Sequence, residues 1–279
     1  MTDTERMLPL YQGMMATFFN HRAADVVKSE TAVKRQNQPR YLDESELADT
    51  ARLAQPAYWV RESLMPPSLP DWLLAFSNVS SPTNERSMVA YPLPRAAVGH
   101  SIPLIMSLRA GALLAILTSF ALDYALRQKL GGVNLTYNYV QQLPVPGPAT
   151  FARIAPWGGA RYTVDEFLRV RVLALGYTAE DMRGFATDLG YAGDPFAWSD
   201  SRRSVMRAEL DAAMFHLYGI GRDDVDYIME TFPIVKRKDL AAHGEYLTKR
   251  LILEIYDQMA VAITTGKAYV SEFDQSNSP

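Results

Sequence analysis

The chain has 279 residues, 48% hydrophobic and 21% charged, with a formal net charge of -3. Length and composition suit one large or two ordinary globular domains with a real core. With no cysteine, disulfides, thiolate chemistry and Cys-ligated zinc are excluded, and the slightly acidic total argues against a protein that coats nucleic acid unselectively.

The first fifteen residues, MTDTERMLPLYQGMM, are charged and lack a long apolar run, so no signal peptide is expected and the expected location is cytoplasmic. The longest apolar stretch, Ala110 to Leu122, is interrupted by Thr118 and Ser119. It is too short for a membrane span, and no membrane partner is expected.

Leu8, Leu10, Met14, Met15, Phe18 and Phe19 form an early apolar cluster that needs a surface to pack on, in this chain or in a neighbouring domain. Residues 29–40, SETAVKRQNQPR, read as a polar basic loop exposing Lys34, Arg35 and Arg40. A flexible linker and a nucleic-acid-facing loop are both open for it. Residues 43–55 predict a short helix with an acidic start. AYWVRE, WLLAFSNVS and RSMVAYPLPR predict three extended runs, with Pro92 and Pro94 demanding a strand end or sheet edge.

Residues 107–148 join more core to more unusual polar surface than any other stretch. Leu113, Leu117, Phe120 and Tyr124 recur at helical spacing. Arg127 and Lys129 fall in the last turn, where cations suit the helix dipole, and Gly131-Gly132 permit a left-handed stop. The next run predicts a strand, with Leu135, Tyr137, Tyr139 and Leu143 on one face. Asn134, Thr136, Asn138 and Gln142 fall on the other. That polar row is either the wet side of an edge strand or a set of amides suited to adenine edges in a major groove. Charge is uneven as well. Residues 81–150 carry an excess of +3 and residues 41–80 of −4.

Beyond Pro148 the pattern turns helical, over 163–175, 178–189, 203–218, 222–231 and 244–265. Thr178 with Asp181 predicts an N-terminal capping pair, and the last residues are expected to fray. The expected class is α+β, a β-containing half followed by a helical one. The divisions are a docking segment and linker (1–40), a β-rich domain (41–150), a helical domain (151–270) and a tail (271–279).

No catalytic signature is visible. The four histidines, His21, His100, His216 and His243, have no partners at metal-ligand spacing. There is no GxGxxG, P-loop lysine or GxSxG pattern. Asp223-Asp224 opens a helix, where acids serve the dipole. Pro66-Pro67, between Met65 and Ser68, does not form the Asn/Asp-Pro-Pro-aromatic motif of amino-methylating enzymes. A hydrolase is left open as a further functional class.

The stretch ALLAILTSFALDYALRQKLGGVNLTYNYVQQLPVPGP resembles the closing segment of target-recognition domains in adenine-specific DNA methyltransferases of restriction–modification systems, of the TaqI-like and fused type IIG kinds. Those domains show L-x-x-L-N-S-x-x-x-D-Y-x-x-R-x-K, a glycine pair and a run ending Q-L-P-V-P. Asp123-Tyr124, Arg127, Lys129, Gly131-Gly132, Gln142 and Leu143-Pro144-Val145-Pro146 match. LPLYQGMM…FNHR is similar to the junction preceding such domains, with Met14 where a lysine is usual. NVSSPTNERSMVAYPLPRAAVGH is similar to an internal stretch of the same domains, and ELDAAMFHLYGIGRDDVDYIMETFPIVKRKDLAAHGEYLTKRLILEIYD to the tail of the large fused members.

The resemblance implies a sequence-specific recognition module for double-stranded DNA, without the catalytic half. It implies no cofactor in this chain; S-adenosylmethionine would bind a partner methyltransferase subunit or a further domain. It implies DNA contacts from Lys34, Arg35, Arg86, Arg95, Arg127 and Lys129, with Asn134, Asn138 and Gln142 as structural or base-reading amides. The alternative is a non-enzymatic scaffold subunit of such a system.

Overall fold

The computed structural model describes residues 5–271. Its strands are β1 (Met7–Tyr11), β2 (Ala24–Lys28), β3 (Asn37–Tyr41), β4 (Trp59–Arg61), β5 (Trp72–Phe76), β6 (Ala90–Pro94), β7 (Ala97–Val98) and β8 (Leu104–Ile105). A short helix, α1 (Glu44–Ala48), lies between β3 and β4. After β8 come α2 (Ala110–Leu117), α3 (Phe120–Arg127), α4 (Tyr137–Val140), α5 (Pro148–Ala152), α6 (Val164–Gly176), α7 (Arg183–Asp188), α8 (Asp200–Leu217), α9 (Arg222–Glu230), α10 (Pro233–His243) and α11 (Leu247–Thr265). The class is therefore α+β, with three small sheets followed by a mostly helical region.

The chain forms two compact units that interleave along the sequence. The first takes residues up to Val79, Val89–Ala110 and Leu173–Ser199; the second takes Ser80–Met88, Gly111–Val172 and the residues from Asp200 onward. Residue 150, where composition placed a boundary, falls inside the second unit.

The first unit holds all three sheets, in the orders β4-β1-β7, β2-β3 and β6-β5-β8. Every residue of β5 is buried, which accounts for its unbroken apolar run WLLAF rather than an alternating one. β6 lies at the edge of that sheet, so Pro92 and Pro94 remove no donor from a two-sided ladder. Of the early apolar residues, Met15 packs with Tyr11, Ala16, Leu73, Ala75, Tyr91, Leu93 and Ile102, and Met14 lies against the same core. Arg22, fully buried, donates to the carbonyls of Leu47, Asp49, Arg52 and Thr178 at 2.5–2.7 Å. One guanidinium thus ties the end of α1 and the residues after it to the segment at Thr178.

Several sequence expectations give way here. Residues 178–189 start as a 3-10 turn, Glu180–Met182, before α7. Thr178 does not cap it. Its buried hydroxyl has no partner among the described residues, and Asp181 instead accepts from His21 Nε2 at 2.8 Å. Burial pushes the Asp181 carboxyl up, but His21 and then Arg22 outweigh it and leave it below the usual range. The helix at 43–55 shrinks to the five residues of α1, capped by Asp43.

In the second unit α11 packs along α8. Arg171 and Glu209 form a buried pair at 2.8 Å, and Tyr269 donates to the same carboxylate at 2.8 Å. A helix not expected from the sequence, α10, starts at Pro233 itself. Proline at a first helical position loses no hydrogen bond. Gly159 sits at φ +54°, and a Cβ there would lie 2.6 Å from the Ala268 nitrogen, so only glycine fits.

The helix expected through Leu113, Leu117, Phe120 and Tyr124, ahead of Gly131-Gly132, is two helices, α2 and α3, bent by 64° at Thr118-Ser119. Thr118 Oγ1 donates back to Leu114 and Ala115 carbonyls, and Ser119 Oγ caps the Leu122 N–H. Both hydroxyls replace backbone bonds that a straight helix would have made. Among the described residues no single helix is long and apolar enough to cross a membrane. The tail beyond Ser271 lies outside the described residues.

Candidate nucleic-acid interface

The nine residues expected to face DNA fall into three groups. Arg86, Arg95 and Arg127 are committed to the protein itself. In the second unit Arg86 Nε donates to Asp123 Oδ2 at 2.7 Å and its Nη2 to the Thr118 carbonyl at 2.6 Å. Arg127 reaches Asp123 at 3.3 Å and the carbonyls of Asn84 and Glu85 at 2.8 and 2.9 Å. Asp123 is fully buried and also accepts the Ser87 N–H. The Arg86 guanidinium lies 3.8 Å from the Phe120 ring centre, and that of Arg127 lies 4.1 Å from the Phe232 ring centre. Burial pushes the Arg127 pKa down, against the pull of Asp123. In the first unit Arg95 donates to the Leu69 carbonyl and to Glu62.

Next to this cluster, Asp211 of α8 accepts the Phe120 N–H at 2.7 Å. Burial raises its pKa to about 6, although Arg86 favours the charged form. Asp211 is thus part of how α3 is held, and it carries a strongly displaced titration.

The second group is the amide row. The strand expected after Gly132 is not formed. Residues 137–140 are the helical turn α4. Leu135 and Leu143 are buried as expected, but Tyr137 is 48% exposed. Leu135, Tyr139 and Leu143 are spaced by four as well as by two, so they serve a helical turn as well as a strand. In that turn Asn138 and Gln142 share one face, and Gln142 Nε2 donates to the Asn138 carbonyl at 2.8 Å. Asn134, Asn138, Gln142 and Lys129 are all exposed, and Lys129 Nζ donates to the Gln142 carbonyl at 3.3 Å.

The third group is in the first unit. Residues 29–40, read as a loop, are the tip and return strand of a hairpin. β2 and β3 pair antiparallel from Ala24 opposite Tyr41 to Lys28 opposite Asn37. The tip is closed by Ser29 N–H to the Gln36 carbonyl at 2.7 Å, and Arg35 turns it at φ +55°. Lys34 and Arg35 are exposed there, together with Lys28. Val33 at the tip is 93% exposed, so its side chain packs on none of the described residues. Among the described residues none of the Lys28, Lys34 and Arg35 side chains has an acidic partner. With Glu30 the segment 28–36 has a net charge of +2.

The root of the hairpin is the opposite. Asp25, buried, takes Arg40, Arg52 at 2.5 Å and the Gln55 N–H at 2.9 Å, while Glu46 takes Arg40 at 2.9 Å. Burial works against the Asp25 charge, but the Gln55 N–H and the two guanidinium groups hold its pKa below the usual value. The root is therefore fixed by charge-assisted bonds, and the tip extends as a free basic ribbon. Sequence reading missed Lys28, because its place at the tip depends on the register of β2 with β3. Among the described residues no group of three His, Asp or Glu side chains is placed to hold a metal ion.

No protein-family model, curated protein or solved structure matches the chain.

Proposed function

We propose that the chain is a target-recognition module for double-stranded DNA, serving an adenine-specific methyltransferase of a restriction–modification or phage-defence system. The catalytic half, with its S-adenosylmethionine site, would belong to a partner subunit or a further domain. The module would hold the duplex while that partner turns adenine out of the stack and methylates N6.

One observation carries this reading: the hairpin tip presents Lys28, Lys34 and Arg35 without acidic partners among the described residues, on a root fixed by Asp25 and Glu46. A two-stranded ribbon fits the major groove of B-DNA, and unpaired cations on it are free to neutralise phosphates. The exposed amides of Asn134, Asn138 and Gln142 offer donor and acceptor together, the combination that reads adenine. The motif resemblance around Asp123-Tyr124 and Leu143–Pro146 supports the same class, although Arg86 and Arg127 act in the fold.

The test is binding of the full chain to a pool of random duplexes, alone and with a candidate methyltransferase subunit, across a salt series. Binding should weaken as salt rises. Lys28, Lys34 and Arg35 changed together to Ala should flatten the log–log salt slope by about 3. No binding at low salt in either arrangement, or an unchanged slope in the triple variant, overturns the reading.

A further inference from the structure

In the second unit an open cleft of about 460 Å³ is lined by Ala121, Tyr124, Ala125, Pro144, Tyr218, Ile220, Asp224, Tyr227 and Ile228. Three properties say what it would take. Three of its lining residues are tyrosines, Tyr124, Tyr218 and Tyr227, set beside the small Ala121 and Ala125. At one side a phenol already serves the backbone, where Tyr218 Oη donates to the main-chain carbonyl of Pro144 at 2.6 Å. Its single carboxylate is uncommitted. Among the described residues Asp224 has no cationic partner, because Arg222 is taken by Asp257 at 2.9 Å and Lys249 by Asp226 and Glu230 at 2.8 and 2.6 Å. The Tyr124 and Tyr227 hydroxyls also have no hydrogen bond among the described residues.

We propose that this cleft docks an extended, proline-containing peptide segment of a partner protein, with one Lys or Arg side chain placed on Asp224. Prolines in polyproline conformation stack on tyrosine rings, and their exposed carbonyls accept from phenol hydroxyls. The segment loses little entropy because it is extended before it binds. The basic side chain gains the Asp224 carboxylate and the face of Tyr227, which is 62% exposed. An open trough suits a passing chain, whereas an enclosed pocket would suit a small molecule. The proposal does not depend on the DNA reading, since it uses none of the side chains proposed there as DNA contacts.

The experiment uses the full chain and three fluorescein-labelled nonapeptides, read by anisotropy. One alternates Pro and Ala around a central Arg, one replaces that Arg by Glu, and one replaces every Pro by Ala. The Arg peptide should bind best, and each change should weaken binding about tenfold. Asp224→Lys should reverse the preference so that the Glu peptide binds better, while Tyr227→Ala should weaken both. Both side chains are exposed, so Tyr227→Ala should melt like the parent, while Asp224→Lys, which reverses a charge in the first turn of α9, should lower the melting temperature only slightly. Equal binding of the Arg and Glu peptides, no binding of the Arg peptide at millimolar concentration, or no effect of Asp224→Lys overturns the proposal. Concentration-dependent self-association that Tyr227→Ala abolishes also overturns it, in favour of a second copy of the chain.

Discussion

The hairpin tip of the first unit and the Arg86–Asp123–Arg127 cluster of the second both place basic side chains in stretches the sequence marks as basic and polar. They do opposite things with them. At the tip, Lys28, Lys34 and Arg35 face solvent with no acid among the described residues to hold them. In the cluster, two guanidinium groups lie about nine-tenths buried on one buried carboxylate, with backbone carbonyls and aromatic rings taking what remains. A cation is available to a ligand only when the fold leaves its donors unspent. Composition counts the two kinds alike.

The largest effect that would break this contrast is at Asp123. Asp123→Ala leaves Arg86 and Arg127 buried without their counter-charge and should cost about 3–5 kcal/mol in urea unfolding. A cost below about 1 kcal/mol would mean that the two arginines are not structural, and would return them to the list of possible DNA contacts.

Asp211 sharpens the contrast through pH. Its folded-state pKa, raised to about 6, lies above the unfolded value near 3.8. The folded chain therefore keeps this proton where the unfolded chain has released it. The contribution to stability is fully present below the unfolded value and is lost as pH rises from about 4 to about 6, on the order of 3 kcal/mol. Asp25 and Asp181, with lowered pKa values, act in the other direction and lose their contributions as pH falls. Asp211→Asn keeps an acceptor for the Phe120 N–H and removes the titration. Parent-minus-variant stability should fall across that window, and a flat difference curve would contradict the burial argument.

The smallest expected effect is at the tip. Changing Lys28, Lys34 and Arg35 together to Ala should alter stability by no more than about 0.5 kcal/mol, read by thermal or urea unfolding. A larger loss would show that the tip serves the fold, and the contrast with the cluster would disappear.

How far the sequence could be read depended on the range of the deciding interaction. The α8 and α11 helices were legible because long stretches repeat at helical spacing, and β5 because its five residues are apolar throughout. The turn at 137–140 was not, because Leu135, Tyr139 and Leu143 satisfy both the strand and the helix spacing. Asp181 was misassigned to a local cap with Thr178 because its actual partner, His21, lies 160 residues away in the chain. Pro233, just past the helix expected over 222–231, is the start of α10, since the ring that cannot continue one helix fits the first position of the next.

What the sequence determined by itself is the α+β class, the main helices, the apolar strands, and the basic, acid-poor character of the hairpin tip. These rest on periodicity and composition, which are local. Only the tertiary structure decided which cations are spent and which are free. Arg86 and Lys34 differ little as letters, but Asp123 reaches one and no acid among the described residues reaches the other. That difference is set by which distant segments fold against each side chain, and pairing across such distances has no signature in the order of residues.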